Sequence, residues 1–172
     1  HRAGRRPWSR VLVPPGVRRP EPVRSRTAAR RIVRIDGIYL DALEWDEASA
    51  GWGQVRRNRS IMEKPMTLGG KTYLRGIGAH ALSRIVYRLP EGHGTFAATI
   101  GKDQEVPGGS VTFAVQADGR EIFRSAVFRN DTPPREISLP IAGAKTLTLI
   151  VEDAGDGIGA DHGDWAEARL LR

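Results

Sequence analysis

The residues best suited to chemistry lie near the C-terminus, between positions 153 and 170. Carboxylates there can accept hydrogen bonds or bind hard cations, and a Trp offers a flat apolar face. Intervening glycines let the backbone turn without a Cβ clash. This combination is typical of a sugar-binding loop, or of a loop braced by calcium, more than of a core. Its polar and aromatic members are Asp153, Asp156, Asp161, His162, Asp164 and Trp165.

The elements that must position this segment are short strands separated by turn residues. The clearest strand runs over 111–117, with an apolar residue at every second position. Asp118-Gly119 then predicts a hairpin turn, and 121–127 is its partner strand. Short strands repeated at this spacing indicate an all-β, antiparallel β-sandwich with loops gathered at its ends. Further alternating stretches are 85–89, 96–100, 137–141 and 147–151.

Charge divides the chain into two parts. Residues 1–34 hold eleven arginines and one acid, a net charge of +10, and are rich in proline. Residues 35–172 hold 16 basic and 19 acidic residues, a net charge of −3. We interpret 1–34 as a disordered linker or tail, with a basic tether to an anionic polymer or membrane as the alternative. The mildly acidic domain does not indicate a specific nucleic-acid partner.

Several function classes lack their motifs. The chain has no cysteine, which excludes disulfides, thiolate metal sites and a Cys nucleophile. No apolar run reaches the roughly 18–20 residues of a membrane span, and no signal peptide is visible. Neither a Gly-x-Ser-x-Gly elbow, a His-Glu-x-x-His pair nor a phosphate loop occurs. We therefore expect no intrinsic catalysis.

Several blocks, taken together and in order, resemble one family. The blocks are 39–45, 51–53, 68–81, 101–115 and 161–170, which contain Trp45, Gly51-Trp52-Gly53, Gly76-Ile77-Gly78-Ala79-His80 and Asp161-His162-Gly163-Asp164-Trp165. Their order and spacing are similar to those of the NPCBM domain, the galactose-recognising carbohydrate-binding module family 51. The resemblance covers about residues 38–171 and leaves 1–34 outside.

The resemblance implies a jelly-roll β-sandwich without catalytic activity. Such modules are usually attached to secreted glycoside hydrolases or other glycan-active enzymes. The implied partners are therefore a glycan with terminal galactose or N-acetylgalactosamine and a covalently linked catalytic domain. The implied location is extracellular. The alternative is a non-catalytic scaffold or protein-interaction sandwich that lacks a sugar site.

A galactose site needs an aromatic face and polar groups that reach the ring hydroxyls. The aromatic candidates sit at predicted strand ends or in loops, and each could instead anchor the core. His80 follows a run of small residues that lets a ligand approach, but it could equally be a satisfied structural His. Asp103 and Glu105 could bind hydroxyls or a cation, or lie in a solvated turn. The full set of sugar-site candidates is Trp45, Trp52, His80, Asp103, Glu105, Asp161, His162 and Trp165.

A structural calcium ion is implied by analogy with similar sandwiches, which hold it where the first strand meets the last. That analogy selects Asp41, beside the carbonyls of its neighbours, and Glu167 on the closing strand. Simple alternation would place Trp165, Glu167 and Arg169 on one face of that strand and residues 166, 168 and 170 on the other. Glu167 could therefore face water instead.

Overall fold

The structure is a computed structural model that describes residues 36–172. The tail predicted over 1–34 therefore lies outside the described residues. Within 36–172 the regular elements are strands, apart from one short 3-10 turn at Leu40–Ala42. The strands are β1 Gly37–Tyr39, β2 Glu47–Ser49, β3 Arg56–Arg57, β4 Met66–Leu68, β5 Lys71–Tyr73, β6 Gly76–His80, β7 Ser83–Arg88, β8 Thr95–Lys102, β9 Thr112–Ala117, β10 Arg120–Arg124, β11 Arg135–Pro140, β12 Thr146–Glu152 and β13 His162–Leu171.

The strands form two antiparallel sheets and one hairpin. The first sheet has the order β11-β8-β13-β6-β3, and β1 pairs with the C-terminal end of β13. The second sheet has the order β10-β9-β12-β7-β2, and β4 pairs with β5. The all-β jelly-roll sandwich predicted from the sequence is confirmed.

The strands with clean alternation were predicted closely. The stretch 111–117 corresponds to β9, and Asp118-Gly119 forms the turn to β10. The partner strand ends earlier than expected, at Arg124 rather than at 127. The other four alternating stretches correspond to β7, β8, β11 and β12.

Strand β13 departs from simple alternation because it contains a β-bulge. Its register against β8 shifts between Ala166 and Arg169, and Glu167 has φ +50°. The extra residue changes which side chains share a face. Trp165, Ala168 and Leu170 all enter the main core, whereas Ala166 packs with the β4–β5 hairpin. The faces predicted for this strand are therefore wrong beyond the bulge.

Trp165 lies at the centre of the core. Its side chain is fully buried, and its ring packs edge-on against Phe113, with centroids 5.1 Å apart, and tilted against Phe96 at 6.3 Å. The prediction that Trp165 sits in a loop or at a strand end is wrong, because the strand already begins at His162. A Trp in this position holds the two sheets together and offers no face to a ligand.

Within the described residues, no helix is both long and apolar enough to cross a membrane.

Truncation of Trp165 tests its role in the core. We expect Trp165→Ala to lower the free energy of unfolding by about 3–5 kcal/mol, because it leaves a large cavity between the sheets. The matched control is Trp52→Ala, whose side chain is 53% exposed and whose loss should cost about 1 kcal/mol or less. Denaturant unfolding measures both, and similar losses for the two variants would contradict the assignment.

Candidate functional site

A pocket of about 420 Å³ opens at the end of the sandwich where β6 ends and β13 begins. His80 is the last residue of β6 and His162 is the first residue of β13, and the two are directly opposed in the antiparallel register. The pocket is therefore built on a pair of cross-strand neighbours. Its lining residues are Trp52, Met62, His80, Val106, Ile158, Gly159, Ala160 and His162.

Three aromatic rings meet in this pocket. The His80 and His162 rings have centroids 5.0 Å apart, and Trp52 lies 5.7 Å from His80 and 6.1 Å from His162. The indole is stacked on His162 with 23° between the planes. Both histidines are almost fully buried, whereas Trp52 is half exposed. The indole is thus an open platform beside two recessed imidazoles.

The hydrogen bonds at Nδ1 fix which nitrogen of each imidazole carries the proton. His80 Nδ1 lies 2.6 Å from the carbonyl oxygen of Ala81, and His162 Nδ1 lies 2.6 Å from Oε1 of Glu105. A carbonyl and an ionised carboxylate can only accept, so both Nδ1 atoms are donors. In the neutral form of either ring, Nε2 is then an acceptor, and neither Nε2 has a hydrogen-bond partner among the described residues.

The protonation states agree with this assignment. Burial is the main cause that lowers the pKa of His80, so its ring is neutral at neutral pH. Burial opposes the ionisation of Glu105, but hydrogen bonds from His162 and Ser60 outweigh it and hold the pKa of Glu105 below its usual value. Glu105 is therefore an ionised acceptor that orients His162.

Glu105 is held by a segment that approaches β6 unusually closely. Ser60 Oγ donates to Glu105 Oε2. A Cβ at Gly78 would lie 2.2 Å from the carbonyl oxygen of Arg59, so only glycine lets the 59–60 backbone lie against the strand. This series of contacts, from Gly78 to Ser60 and on to Glu105, thus sets the orientation of the His162 imidazole.

Two of the predicted acids brace the loops instead of facing the pocket. Asp103 is fully buried and accepts from the backbone N–H groups of Thr67 and Glu105 at 3.2 and 2.8 Å. Asp161 is 1% exposed, and its Oδ1 accepts from the N–H of Ser110 at 2.8 Å. Their predicted role as direct sugar ligands is corrected, because both carboxylates are buried and neither lines the pocket.

A buried lysine closes the other side of the site. Lys102 Nζ donates to the carbonyl oxygens of Asp103 and Val106, at 2.7 and 3.2 Å, and to Asn130 Oδ1 at 2.9 Å. Burial lowers the pKa of Lys102, while the nearby carboxylates oppose that change. Its three bonds fold the segment 103–106 back so that Val106 faces the pocket.

The remaining sugar-site candidate, Trp45, does not line this pocket. It is half buried against the core, and the Arg57 guanidinium lies 3.8 Å from its ring centroid. Its role is therefore corrected to packing at the sheet edge. Of the eight candidates, the pocket brings together Trp52, His80 and His162, with Glu105 directly behind them.

The predicted calcium ligands have other partners. Asp41 receives hydrogen bonds from Arg75, at 2.9 and 3.0 Å, and from Asn58 at 3.0 Å. Glu167 is an exposed side chain at the bulge. Over residues 36–172, no group of three or more His, Cys, Asp or Glu side chains is placed to hold a metal ion. These two residues do not fit the predicted ligand set, and a calcium ion stays a prediction.

Comparison with known proteins identifies the family. The model of the NPCBM/NEW2 domain family matches residues 36–171. The chain belongs to the NPCBM/NEW2 family. It is 35% identical over 142 residues to a Renibacterium salmoninarum protein named as an endo-alpha-N-acetylgalactosaminidase, and 33% identical over 120 residues to alpha-1,3-galactosidase B of Akkermansia muciniphila. These matches cover 77% and 67% of this chain but only 9% and 15% of the relatives.

Solved structures agree with this assignment. A CBM51 module from the Clostridium perfringens GH95 protein, in complex with methyl-galactose, superposes with a TM-score of 0.75 at 39% identity, over 78% of this chain and 99% of that one. The second CBM51 module of C. perfringens ZmpB, in complex with GlcNAc, gives 0.73 at 34% identity, over 77% and 30%. The prediction of a non-catalytic carbohydrate-binding module is confirmed.

Sequence reasoning missed several residues of the NPCBM/NEW2 site. Ser60 and Lys102 carry no motif of their own, and Met62 and Ile158 lie in polar, irregular stretches. Asp164 belongs to the C-terminal segment described above, but residue type alone did not select it for the site. One signal was available: the run of small residues at 76–79 indicates that another backbone approaches there. That backbone is the segment carrying Ser60.

Asp164 is a buried carboxyl beneath the pocket. It is fully buried, and neither of its oxygens has a well-aligned partner. Burial, then the interaction with the Asp103 carboxylate, raises the pKa of Asp164 well above its usual value. A neutral Asp164 can donate toward Asp103, which is the arrangement that burial favours.

The raised pKa of Asp164 makes stability depend on pH. Because the folded pKa lies above the unfolded value, this group's contribution is present at low pH and is lost as the pH rises through the folded pKa. Asp164→Asn is isosteric and cannot ionise. As the pH rises from the unfolded pKa to the folded pKa of Asp164, the free energy of unfolding of this variant should therefore increase relative to that of the wild type, by up to about 1.4 kcal/mol per pH unit. Denaturant unfolding at a series of pH values tests this, and parallel stability curves would contradict it.

Gly51 seats the platform loop on the end of β6. Its N–H faces the His80 carbonyl at 3.4 Å, and a Cβ there would lie 2.2 Å from the Ala81 carbonyl oxygen. Gly51→Ala should shift Trp52 and lower sugar affinity at least about tenfold. Gly94→Ala is the control, since a Cβ at Gly94 meets open space. Calorimetric titration measures both, and unchanged affinity for Gly51→Ala would refute the seating role.

Proposed function

We propose that the pocket of Trp52, His80 and His162 binds a terminal galactose-type sugar, galactose or N-acetylgalactosamine. We further propose that the domain directs a covalently attached glycan-active enzyme to extracellular glycans. The observation that carries the proposal is the open indole platform beside two imidazoles whose Nε2 atoms have no hydrogen-bond partner among residues 36–172.

The platform suits a galactose ring because one face of that sugar is apolar. The axial O4 leaves the C–H bonds of C3, C4 and C5 together on the opposite face, which can stack on an aromatic ring. Trp52 is the one pocket residue with a large, half-exposed aromatic surface among residues 36–172. Glucose, whose O4 is equatorial, has a less continuous apolar face.

The imidazoles suit two adjacent hydroxyl groups. Each Nε2 can accept one hydrogen bond from a hydroxyl group, and the two ring centroids are 5.0 Å apart. O3 and O4 of galactose are vicinal, so both can donate into this pair while the ring lies on Trp52. The hydroxyl orientation is thereby read by two oriented acceptors.

The rest of the pocket is apolar and leaves room for a substituent. Met62, Val106 and Ile158 line it beside Trp52. An acetamido methyl group could contact these side chains, which supports the inclusion of N-acetylgalactosamine. Hydrogen bonding to the sugar therefore falls mainly to the two histidines.

The relatives support the same proposal at a coarser level. One solved relative is in complex with methyl-galactose and another with GlcNAc. Two curated relatives are named as enzymes that act on galactose-type sugars, and the chain spans less than a sixth of each. An attached catalytic domain and an extracellular location follow from that pattern as proposals for the parent protein.

Calorimetric titration with methyl-galactoside, N-acetylgalactosamine and methyl-glucoside tests the proposal. We expect weak, saturable binding of the first two and at least about tenfold weaker binding of the glucoside. Trp52→Ala should lower the affinity at least about tenfold, because the platform is lost. Trp45→Ala is the matched control, since Trp45 does not line the pocket.

Three outcomes would overturn the proposal. Full affinity in Trp52→Ala would place the sugar elsewhere. Equal binding of glucoside and galactoside would remove the proposed hydroxyl selectivity. An absence of heat with any sugar, from a folded sample, would favour the scaffold alternative.

Repeating the titration after chelation, and again with added calcium, tests the predicted ion: a structural calcium requires that chelation lower the affinity or the melting temperature.

A further inference from the structure

The two pocket histidines have the features of metal ligands as well as of sugar acceptors. They are cross-strand neighbours, opposed in register at the junction of β6 and β13. Cross-strand neighbours hold their Cβ atoms about 5 Å apart. A pair of imidazoles in such positions can chelate one ion.

The hydrogen-bond partners of the two Nδ1 atoms also support metal chelation by these imidazoles. Histidines that ligate metals donate their second ring N–H to a carboxylate or a backbone carbonyl, which fixes the tautomer and the ring orientation. His162 Nδ1 donates to Glu105, and Glu105 is itself held by Ser60. His80 Nδ1 donates to the Ala81 carbonyl. In their neutral forms, both imidazoles therefore present Nε2 lone pairs that no other side chain of residues 36–172 occupies.

The separation of the rings fits a shared ion. Zinc-type ions lie about 2.0–2.1 Å from a ligating nitrogen, so each ring centroid lies about 3.2 Å from the ion. At a tetrahedral angle, the two centroids are then about 5.2 Å apart. The observed separation is 5.0 Å, with 57° between the ring planes.

We propose that His80 and His162 together chelate one first-row transition-metal cation in the pocket, with Cu²⁺ bound most tightly and Zn²⁺ and Ni²⁺ less so. Imidazole nitrogen suits these ions, and their affinities follow the Irving–Williams order. Calcium prefers oxygen ligands, so we do not expect this pair of imidazoles to bind it. Water fills the remaining positions, since the described residues supply only these two nitrogens.

This proposal is independent of the identity of the sugar, but it has a consequence for sugar binding. The ion and the sugar hydroxyls use the same two Nε2 lone pairs. Bound metal therefore blocks the proposed sugar site, and sugar weakens metal binding by the same factor.

The first test is a titration of Cu²⁺ or Zn²⁺ alone into the full chain. All proteins carry His1→Ala, so that the three histidines that remain are His80, His93 and His162. Trp52 lies 5.7 Å from His80, so Cu²⁺ should quench indole fluorescence with a stoichiometry of one. Ca²⁺ should cause no quenching.

The variants decide where the ion binds. His80→Ala and His162→Ala should each weaken Cu²⁺ binding at least about tenfold, whereas His93→Ala, outside the pocket, should not. Electron paramagnetic resonance supplies a signature that misfolding does not mimic: two coupled imidazole nitrogens in the parent and one in either variant. Unchanged affinity in both pocket variants, an equal loss in His93→Ala, or a single coupled nitrogen in the parent would each overturn the proposal.

Competition separates this proposal from the proposed function. If methyl-galactoside binds, its addition should weaken Cu²⁺ binding; full independence of the two would overturn the shared site. If no sugar binds but the Cu²⁺ signature is present, the metal site stands and the galactose proposal fails. If sugar binds and the Cu²⁺ signature is absent, the reverse holds.

Discussion

Backbone pairing along β13 is the interaction on which both core and pocket depend. This strand pairs with β6, β8 and β1, so it joins most of one sheet. Its first residue, His162, forms the pocket floor, and its fourth, Trp165, fills the core. One register fixes both of these side chains, and the same register places His162 opposite His80. The positions of the two imidazoles therefore follow from the backbone hydrogen bonds that hold the sheet together.

The fold was predictable wherever alternation was regular. Strands β7, β8, β9, β11 and β12 each place apolar residues at every second position of a stretch, and the sequence shows this pattern directly. Strand β13 was not predictable in this way, because a bulge interrupts its period and because its buried Asp164 and His162 resemble loop residues. The short strands β2 and β3 are too brief to show any period.

The candidate site was predictable in its members and not in their roles. Trp52, His80, His162 and Glu105 were selected by residue type, and the structure brings them together. A carboxylate that accepts from backbone N–H groups, such as Asp103, cannot be distinguished in sequence from one that faces solvent. The same holds for an indole in the core and an indole at the surface, as Trp165 and Trp52 show.

The glycine-rich segment that forms one wall of the pocket lies outside the strand ladders. Asp161 and Ser110 tie its end to the sandwich, while Cβ atoms at Gly155, Gly157 and Gly159 would meet open space. Gly155 and Gly157 have positive φ, so a side chain there would strain this segment itself. The paired imidazoles are held separately, by the register of β6 and β13. One wall of the pocket can therefore vary while the strand pairing that holds the sandwich together is inherited unchanged.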